Sequence, residues 1–232
     1  MADPSESANR SWGGKNAAGA TSVANVANVA SGDTPDVAGA LRAATSERHN
    51  LLHEIMPLSM ESIALRDYLE HVAILYEWLE PLETWLGRFN DGPQSSAMPA
   101  RLDRLALIDA DLRHASVSAA DRVQASHDAR AWQGEQSAAY RWGVCYVIEG
   151  SQLGGAVLHA RLKDRLAPHP LALLAEGREA LGARWHAFVG AMRAEVRSPA
   201  QIDEACRGAA EAFDRLIELA QRPKRAASAS AD

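Results

Sequence analysis

Apolar residues recur every three or four positions along most of the chain, and no segment alternates apolar and polar residues as a half-buried strand does. β-Branched residues never form a long run, which also favours helix over sheet. Segments with this spacing and helical length cover residues 34–55, 65–89, 101–114, 136–166, 175–196 and 198–221. The pattern therefore predicts an all-α, single-domain bundle of several helices.

Proline and capping residues mark some of the ends of these segments. Pro35 suits the first turn of a helix, which leaves amide groups unbonded, and Asp36 interacts favourably with the positive end of the helix dipole. Ser198 followed by Pro199 predicts the start of the last helix in the same way. Pro81 lies inside the second segment, where we expect it to kink the helix or to start a new turn.

Composition narrows the class of protein. We predict a helical domain over residues 35–221, between disordered tails at residues 1–34 and 222–232. The net charge of −6 argues against nucleic-acid binding, and the lack of a signal peptide or of about 18 consecutive apolar residues argues against secretion or a membrane span. Cys145 and Cys206 lie in separate helical segments, so they form no disulfide framework and suit a reducing cytoplasm.

The predicted helix at residues 136–166 contains four glycines, Gly143, Gly150, Gly154 and Gly155. Each interior glycine costs a helix about 1 kcal/mol relative to alanine, so this number of glycines needs a reason. Gly143, Gly150 and Gly154 are seven and four residues apart and therefore share one face. A face without side chains lets a neighbouring helix or a flat ligand approach the main chain, and the spacing alone leaves both explanations open.

Of these two explanations, a histidine on the first predicted helix favours the flat ligand. Arg42 lies seven residues before His49 on the same face, at about 10 Å, roughly half the width of a porphyrin. Arg161 lies seven residues after Gly154 on the glycine face. A disc with iron at its centre and carboxylates at one edge fits these residues if the two helices run antiparallel. The spacing thus predicts antiparallel helices at this point.

At these residues the sequence resembles the haem oxygenase family, in particular its bacterial biliverdin-forming members. The segment Leu41-Arg-Ala-Ala-Thr-Ser-Glu-Arg-His49 is similar to the family's proximal helix, with its Ala-Thr-x-x-x-His signature. The segment Tyr146-Val-Ile-Glu-Gly-Ser-Gln-Leu-Gly-Gly155 is similar to its glycine-rich distal helix. The similarity spans about residues 36–221. It implies a haem oxygenase-like bundle in which haem lies between the first helix and a kinked, glycine-rich helix.

The resemblance also implies roles for individual residues. His49 matches the axial iron ligand, and Gly150 and Gly154 match the distal wall over the iron. Arg42 matches a basic contact of the haem propionates on the proximal helix. Arg161 matches a basic propionate contact found in bacterial members.

Two positions depart from the pattern of many members. Ser151 follows the first distal glycine, where many members have an aspartate that organises water, so the catalytic water network has to be built differently here. His53 stands where many members have a glutamate near the axial imidazole. The group that orients the second ring nitrogen of His49 is therefore left open.

The family's reaction would make haem both cofactor and substrate. It consumes O2 and electrons and yields biliverdin, carbon monoxide and ferrous iron. No flavin or nicotinamide motif is present in the sequence, so an electron-donating reductase or ferredoxin is an implied partner. We expect a cytoplasmic location, whereas the sequence does not indicate an oligomeric state or the ring carbon that is attacked.

Other classes of protein remain open on the sequence. A non-catalytic haem carrier or sensor could use the same fold, given Ser151 and His53. A thiaminase-like hydrolase would need an activated cysteine, and Cys145 has no recognisable base nearby in sequence. A di-iron protein would need Glu-x-x-His pairs, which the chain lacks, and His49 with His53 is only a weak zinc signal without the glutamate of His-Glu-x-x-His.

Overall fold

The computed structural model describes residues 36–59, 62–98, 101–126 and 130–222, and the regular structure within them is entirely helical. The α-helices of these residues are α1 (Val37–Ile55), α2 (Leu65–Leu86), α3 (Arg104–Leu112), α4 (Ala138–Leu162), α5 (Ala172–Ala175), α6 (Leu181–Glu195) and α7 (Pro199–Ala220). The predicted all-α class is confirmed. The predicted tails, apart from Arg222, lie outside the described residues. No helix in the described part of the chain is long and apolar enough to cross a membrane.

Local sequence signals explain where the helices that form the site begin. The Ser137 hydroxyl oxygen accepts an amide hydrogen of the first turn of α4. At the start of α7, the Ser198 hydroxyl accepts the amide hydrogen of Gln201, and the Gln201 side chain accepts that of Ser198. Pro199 occupies the first turn, as predicted. In contrast, α2 continues through Pro81, so this proline does not start a new helix.

The last helix, α7, packs against both α1 and α4. Where α7 crosses α4, the two main chains touch: a β-carbon added to Gly143 would lie 1.8 Å from the carbonyl oxygen of Ala205. On the other helix, a β-carbon added to Gly208 would lie 2.2 Å from the carbonyl oxygen of Tyr140. No side chain fits at either position. In contrast, α1 and α4 make few close approaches to each other, so both are held mainly by their common neighbour.

The segment between α4 and α6 differs most from the predicted helices. The pattern predicts one helix over residues 175–196, but the structure has the short helix α5 and a turn before α6 begins. The fully buried carboxylate of Asp111 accepts the amide hydrogens of Ala172 and Leu173, at 2.6 and 3.0 Å, and the hydroxyl hydrogen of Tyr68, at 2.5 Å. A buried carboxylate needs such partners, and hydrophobic periodicity carries no sign of them.

Candidate functional site

The buried stripe of α1 is interrupted at His49. Leu41 and Thr45 on this stripe are buried, and Leu52 packs against the core, but His49 between them is exposed. The His49 ring lies edge-on to the ring of Phe213 on α7, with the ring centroids 6.3 Å apart and the planes at 72°. His49 therefore lies on the inward side of α1, beside α7, and faces an opening instead of the core.

Helix α4 changes character at its middle. Every residue from Ala139 to Ile148 except Tyr146 is buried, whereas no residue from Gly150 to Leu158 is. No atom lies within 4 Å of a β-carbon placed on Gly154, and Val157, one turn further along the same face, is 59% exposed although it is apolar. This half of α4 therefore presents an open, largely apolar surface, against which a flat apolar ligand could pack.

The glycines of α4 serve two purposes. Gly143 is a packing glycine, because α7 occupies the space of its missing side chain, so the open face expected from its spacing is wrong at this position. A β-carbon on Gly150 would lie 3.7 Å from the Trp185 ring of α6, which is ordinary contact, and one on Gly154 would meet nothing. The close-packing explanation thus applies to Gly143, and the open wall lies at Gly154.

Two pairs of neighbouring residues show how α1 and α4 run relative to each other. Arg42 of α1 is close to Tyr146 of α4: burial raises the pKa of the Tyr146 hydroxyl, and the charge of Arg42 partly offsets that rise. At the other end, Nη2 of Arg161 donates a hydrogen bond to the carbonyl oxygen of Leu58, just after α1, at 2.6 Å. Both helices therefore run in the same direction, and the predicted antiparallel arrangement is wrong.

Counting along the helices from Arg42 and Tyr146, which are close enough for the charge of one to act on the other, places His49 at the level of the glycines. His49 lies seven residues beyond Arg42, a rise of about 10 Å. Gly150 and Gly154 lie four and eight residues beyond Tyr146, rises of about 6 and 12 Å. The exposed imidazole and the open stretch of α4 are thus at the same level, with Phe213 of α7 beside them. We refer to the space between them as the cleft.

Arg161 lies at the opposite end of this cleft from Arg42. It follows Tyr146 by fifteen residues, a rise of about 22 Å along α4. The two arginines therefore do not meet at one edge, because the prediction that joined them depended on antiparallel helices. Arg161 instead ties the end of α4 to the turn that follows α1.

A largely buried ion cluster holds α4 at the residue before Gly150. Glu149 accepts hydrogen bonds from Arg104 at 2.8 Å and from Arg184 at 3.0 Å. Burial alone would raise the pKa of Glu149, but these two guanidinium groups outweigh it and keep the pKa below its usual value. Trp185, next to Arg184, covers Gly150 and stacks on Phe188. Sequence reasoning missed this cluster, since its members are far apart along the chain.

Ser151 is exposed, and its hydroxyl is engaged within the helix. Oγ donates its hydrogen to the carbonyl oxygen of Ile148 at 2.7 Å. The oxygen keeps its lone pairs, so Ser151 can accept a hydrogen bond from water but has no second proton to donate. This restricts the kind of water network that the residue could support.

The geometry disfavours the other site types considered from the sequence. The Cys145 thiol is buried, accepts a hydrogen bond from Gln94 at 3.3 Å, and has its pKa raised to about 11 by burial, so it is not an activated nucleophile. Within the residues that the structure describes, no group of three or more His, Cys, Asp or Glu side chains could hold a metal ion. A zinc or di-iron centre built from side chains alone therefore has no support here.

Comparisons with known proteins identify the family and the fold of the chain. The family model described as "Heme oxygenase" matches residues 35–222. Among solved structures, the chain is similar to the NO- and CO-bound heme oxygenase from Neisseria meningitidis, with 24% identity and a TM-score of 0.60, over 82% of this chain and 95% of that one. At this identity the similarity shows the fold. No curated protein sequence matches the chain.

Proposed function

Because the chain belongs to the haem oxygenase family, we propose that it binds haem in the cleft and cleaves it to biliverdin, carbon monoxide and ferrous iron. The reaction would consume O2 and electrons from a separate reductase or ferredoxin. The observation that supports the proposal best is the exposed His49 at the level of the open wall around Gly154. An imidazole on one side and a side-chain-free main chain on the other fit a metalloporphyrin disc.

The residues of the cleft fit haem in chemistry as well as in position. His49 would be the axial ligand, since a neutral imidazole is a common ligand of haem iron. Gly150 and Gly154 would form the opposite wall, and the apolar side chain of Val157 would extend it. Bound haem would supply the redox-active iron at which O2 is reduced and the ring carbon that is oxidised.

Arg42 and Tyr146 would bind the propionate edge. They lie near each other on the N-terminal side of His49 and of Gly150, about 10 Å along α1 from the level of His49. A guanidinium and a phenol hydroxyl are both hydrogen-bond donors suited to a carboxylate. Arg161, at the far end, would contribute by keeping that end of the cleft closed instead of binding the same edge.

On the α4 side of the haem, the reaction would need a proton source other than a side chain in contact with the iron. Ser151 would hold a water molecule by accepting a hydrogen bond from it, because its own proton is bound to Ile148. The ion cluster around Glu149 would keep the α4 backbone at a constant distance from the imidazole. Water held in this way, with a rigid backbone wall, supports a proton supply without a distal acid.

The test uses hemin and two histidine variants. Wild-type protein and His53→Ala should give the absorption spectrum of imidazole-ligated haem, whereas His49→Ala should lose it; His53 is a matched control because it is also exposed, one turn along α1. Ascorbate or a reductase system should then remove the Soret band of the wild type as biliverdin appears. A stable Soret band with every donor would favour the haem carrier or sensor instead, and an unchanged His49→Ala spectrum would contradict the ligand assignment.

A further inference from the structure

Two neighbouring contacts join α1 to α7 beside the candidate ligand. Arg48 and Asp214 form a two-pronged ion pair, with Nε–Oδ1 at 2.7 Å and Nη2–Oδ2 at 3.1 Å. The next residue on α1 is His49, and the residue before Asp214 on α7 is Phe213, and their rings meet edge to face. Because the partners are adjacent on both helices, the ion pair fixes the position at which the two rings meet.

Within the described residues, His49 has no partner of the kind that usually orients a haem ligand. An axial histidine commonly donates its second ring N–H to a carboxylate or a carbonyl, and this bond sets the rotation of the ring. Among the residues that the structure describes, neither nitrogen of His49 has a hydrogen-bond partner. Thr45, one turn earlier, donates its hydroxyl hydrogen to the carbonyl oxygen of Leu41 at 2.8 Å and is thereby engaged.

We propose that Phe213, held in place by the Arg48–Asp214 ion pair, sets the rotation of the His49 imidazole by packing instead of by hydrogen bonding. These are positioning residues, which act on haem only through His49. The inference rests on the proposed function, since it takes His49 as the axial ligand. It gives a residue of α7 a role, whereas the family resemblance described above involves α1 and α4.

The exposure of the ion pair makes the idea testable. The side chains of Arg48 and Asp214 are 36% and 50% exposed, and exposed ion pairs contribute little to the stability of a fold. Breaking this one should therefore leave the protein folded. An effect on the haem ligand would then report the rotation of the imidazole and not a general loss of structure.

The chain offers a matched control on the same helix. Arg193 of α6 and Asp36 at the start of α1 form a second two-pronged ion pair, at 2.7 and 2.8 Å, with side chains 39% and 44% exposed. It also fixes α1 to a neighbouring helix, but at a point thirteen residues before His49. Breaking it tests what the loss of such an ion pair does when the ligand is not adjacent.

The experiment compares hemin-loaded Asp214→Asn, Phe213→Leu and Asp36→Asn with wild type by resonance Raman spectroscopy of the reduced protein. Asp214→Asn and Phe213→Leu should shift and broaden the iron–imidazole stretching band and weaken hemin affinity about tenfold, as loss of an orienting partner does. Asp36→Asn should reproduce the wild-type band, and the ring-conserving Phe213→Tyr should restore it.

The outcomes separate this inference from the proposed function. A wild-type band in Asp214→Asn overturns the inference even if Phe213→Leu does not fold. An equal change in Asp36→Asn also overturns it, because the effect would then be that of any ion pair on α1. If instead His49→Ala keeps the wild-type spectrum, the ligand assignment itself fails, and with it the proposed site.

Discussion

Replacing Gly154 with alanine should stabilise the haem-free protein. The position is interior to α4, and the added β-carbon would have no atom within 4 Å. Alanine is favoured over glycine in a helix by about 0.5–1 kcal/mol, because it restricts the unfolded chain more. For a domain of this size the melting temperature should rise by about 1–4 °C. Thermal unfolding of the apoprotein, followed by circular dichroism, measures the change.

The same substitution should weaken hemin binding. The methyl group would project from the wall of the cleft at the level of His49, into the space that the porphyrin would fill. Forcing extra atoms into a packed site costs about 1–3 kcal/mol, which corresponds to an affinity about 5- to 140-fold lower. Titration with hemin, followed at the Soret band, measures this loss.

Gly143→Ala is the matched control, because it makes the same chemical change on the same face of the same helix. Its β-carbon would lie 1.8 Å from the carbonyl oxygen of Ala205, so it should destabilise the apoprotein by more than about 1–3 kcal/mol. The test is that the substitutions at Gly143 and Gly154 should change the stability of the apoprotein in opposite directions. An apoprotein with Gly154→Ala that is less stable than wild type, or that binds hemin as tightly, would refute the assignment of this face.

Three further predictions concern groups outside the cleft. Burial lowers the pKa of His71 from 6.5 to about 4, and Nδ1 has no hydrogen-bond partner among the described residues. As the pH falls, the unfolded chain therefore protonates at His71 before the folded one. The free energy of unfolding should fall by up to about 1.4 kcal/mol per pH unit as the pH drops from 6.5 to 4. Urea unfolding across this range should show a weaker pH dependence for His71→Gln than for wild type, and an equal pH dependence would contradict the assignment to His71. Asp111→Asn should lower the free energy of unfolding by about 1–3 kcal/mol, seen as a lower urea midpoint, because its amide cannot accept both backbone hydrogens and the Tyr68 hydroxyl. An unchanged midpoint would argue against the carboxylate as a structural anchor. Iodoacetamide should modify the part-exposed Cys206 before Cys145, whose thiol is buried with a pKa of about 11; peptide mass spectrometry of the native protein showing Cys145 labelled first would oppose this.

Periodicity predicted the helices of the site well, since it reports which face of a helix is buried. The starts of α4 and α7 follow from serine caps that the sequence displays. Periodicity also placed His49 on the inward stripe of α1 with Leu41 and Thr45. What it could not give is that the stripe opens at His49, because burial depends on what the neighbouring helices cover.

The glycine face shows this limit most clearly. Gly143 and Gly154 occupy the same face of α4 with the same local chemistry, yet only one is covered by α7. The direction of α4 relative to α1 also depends on how distant segments connect, so the sequence could not show that the two helices run in the same direction. The hydrogen bonds from Arg104 and Arg184 to Glu149 could not be predicted from the sequence either, since they join residues of three separate helices.

The main-chain contact between α4 and α7 lies far along α4 from the cleft, so a small rotation of α4 at this contact produces a larger displacement at the cleft. Gly154 lies eleven residues beyond Gly143, about 16 Å from the point where the two backbones meet, so turning α4 there by about 4° moves the wall by about 1 Å. The width available to a ligand therefore depends on this contact, which the ligand would not touch, as well as on the ion cluster that holds Glu149. Substitutions at Gly143 or Gly208 should alter what enters the cleft as well as how firmly the chain folds.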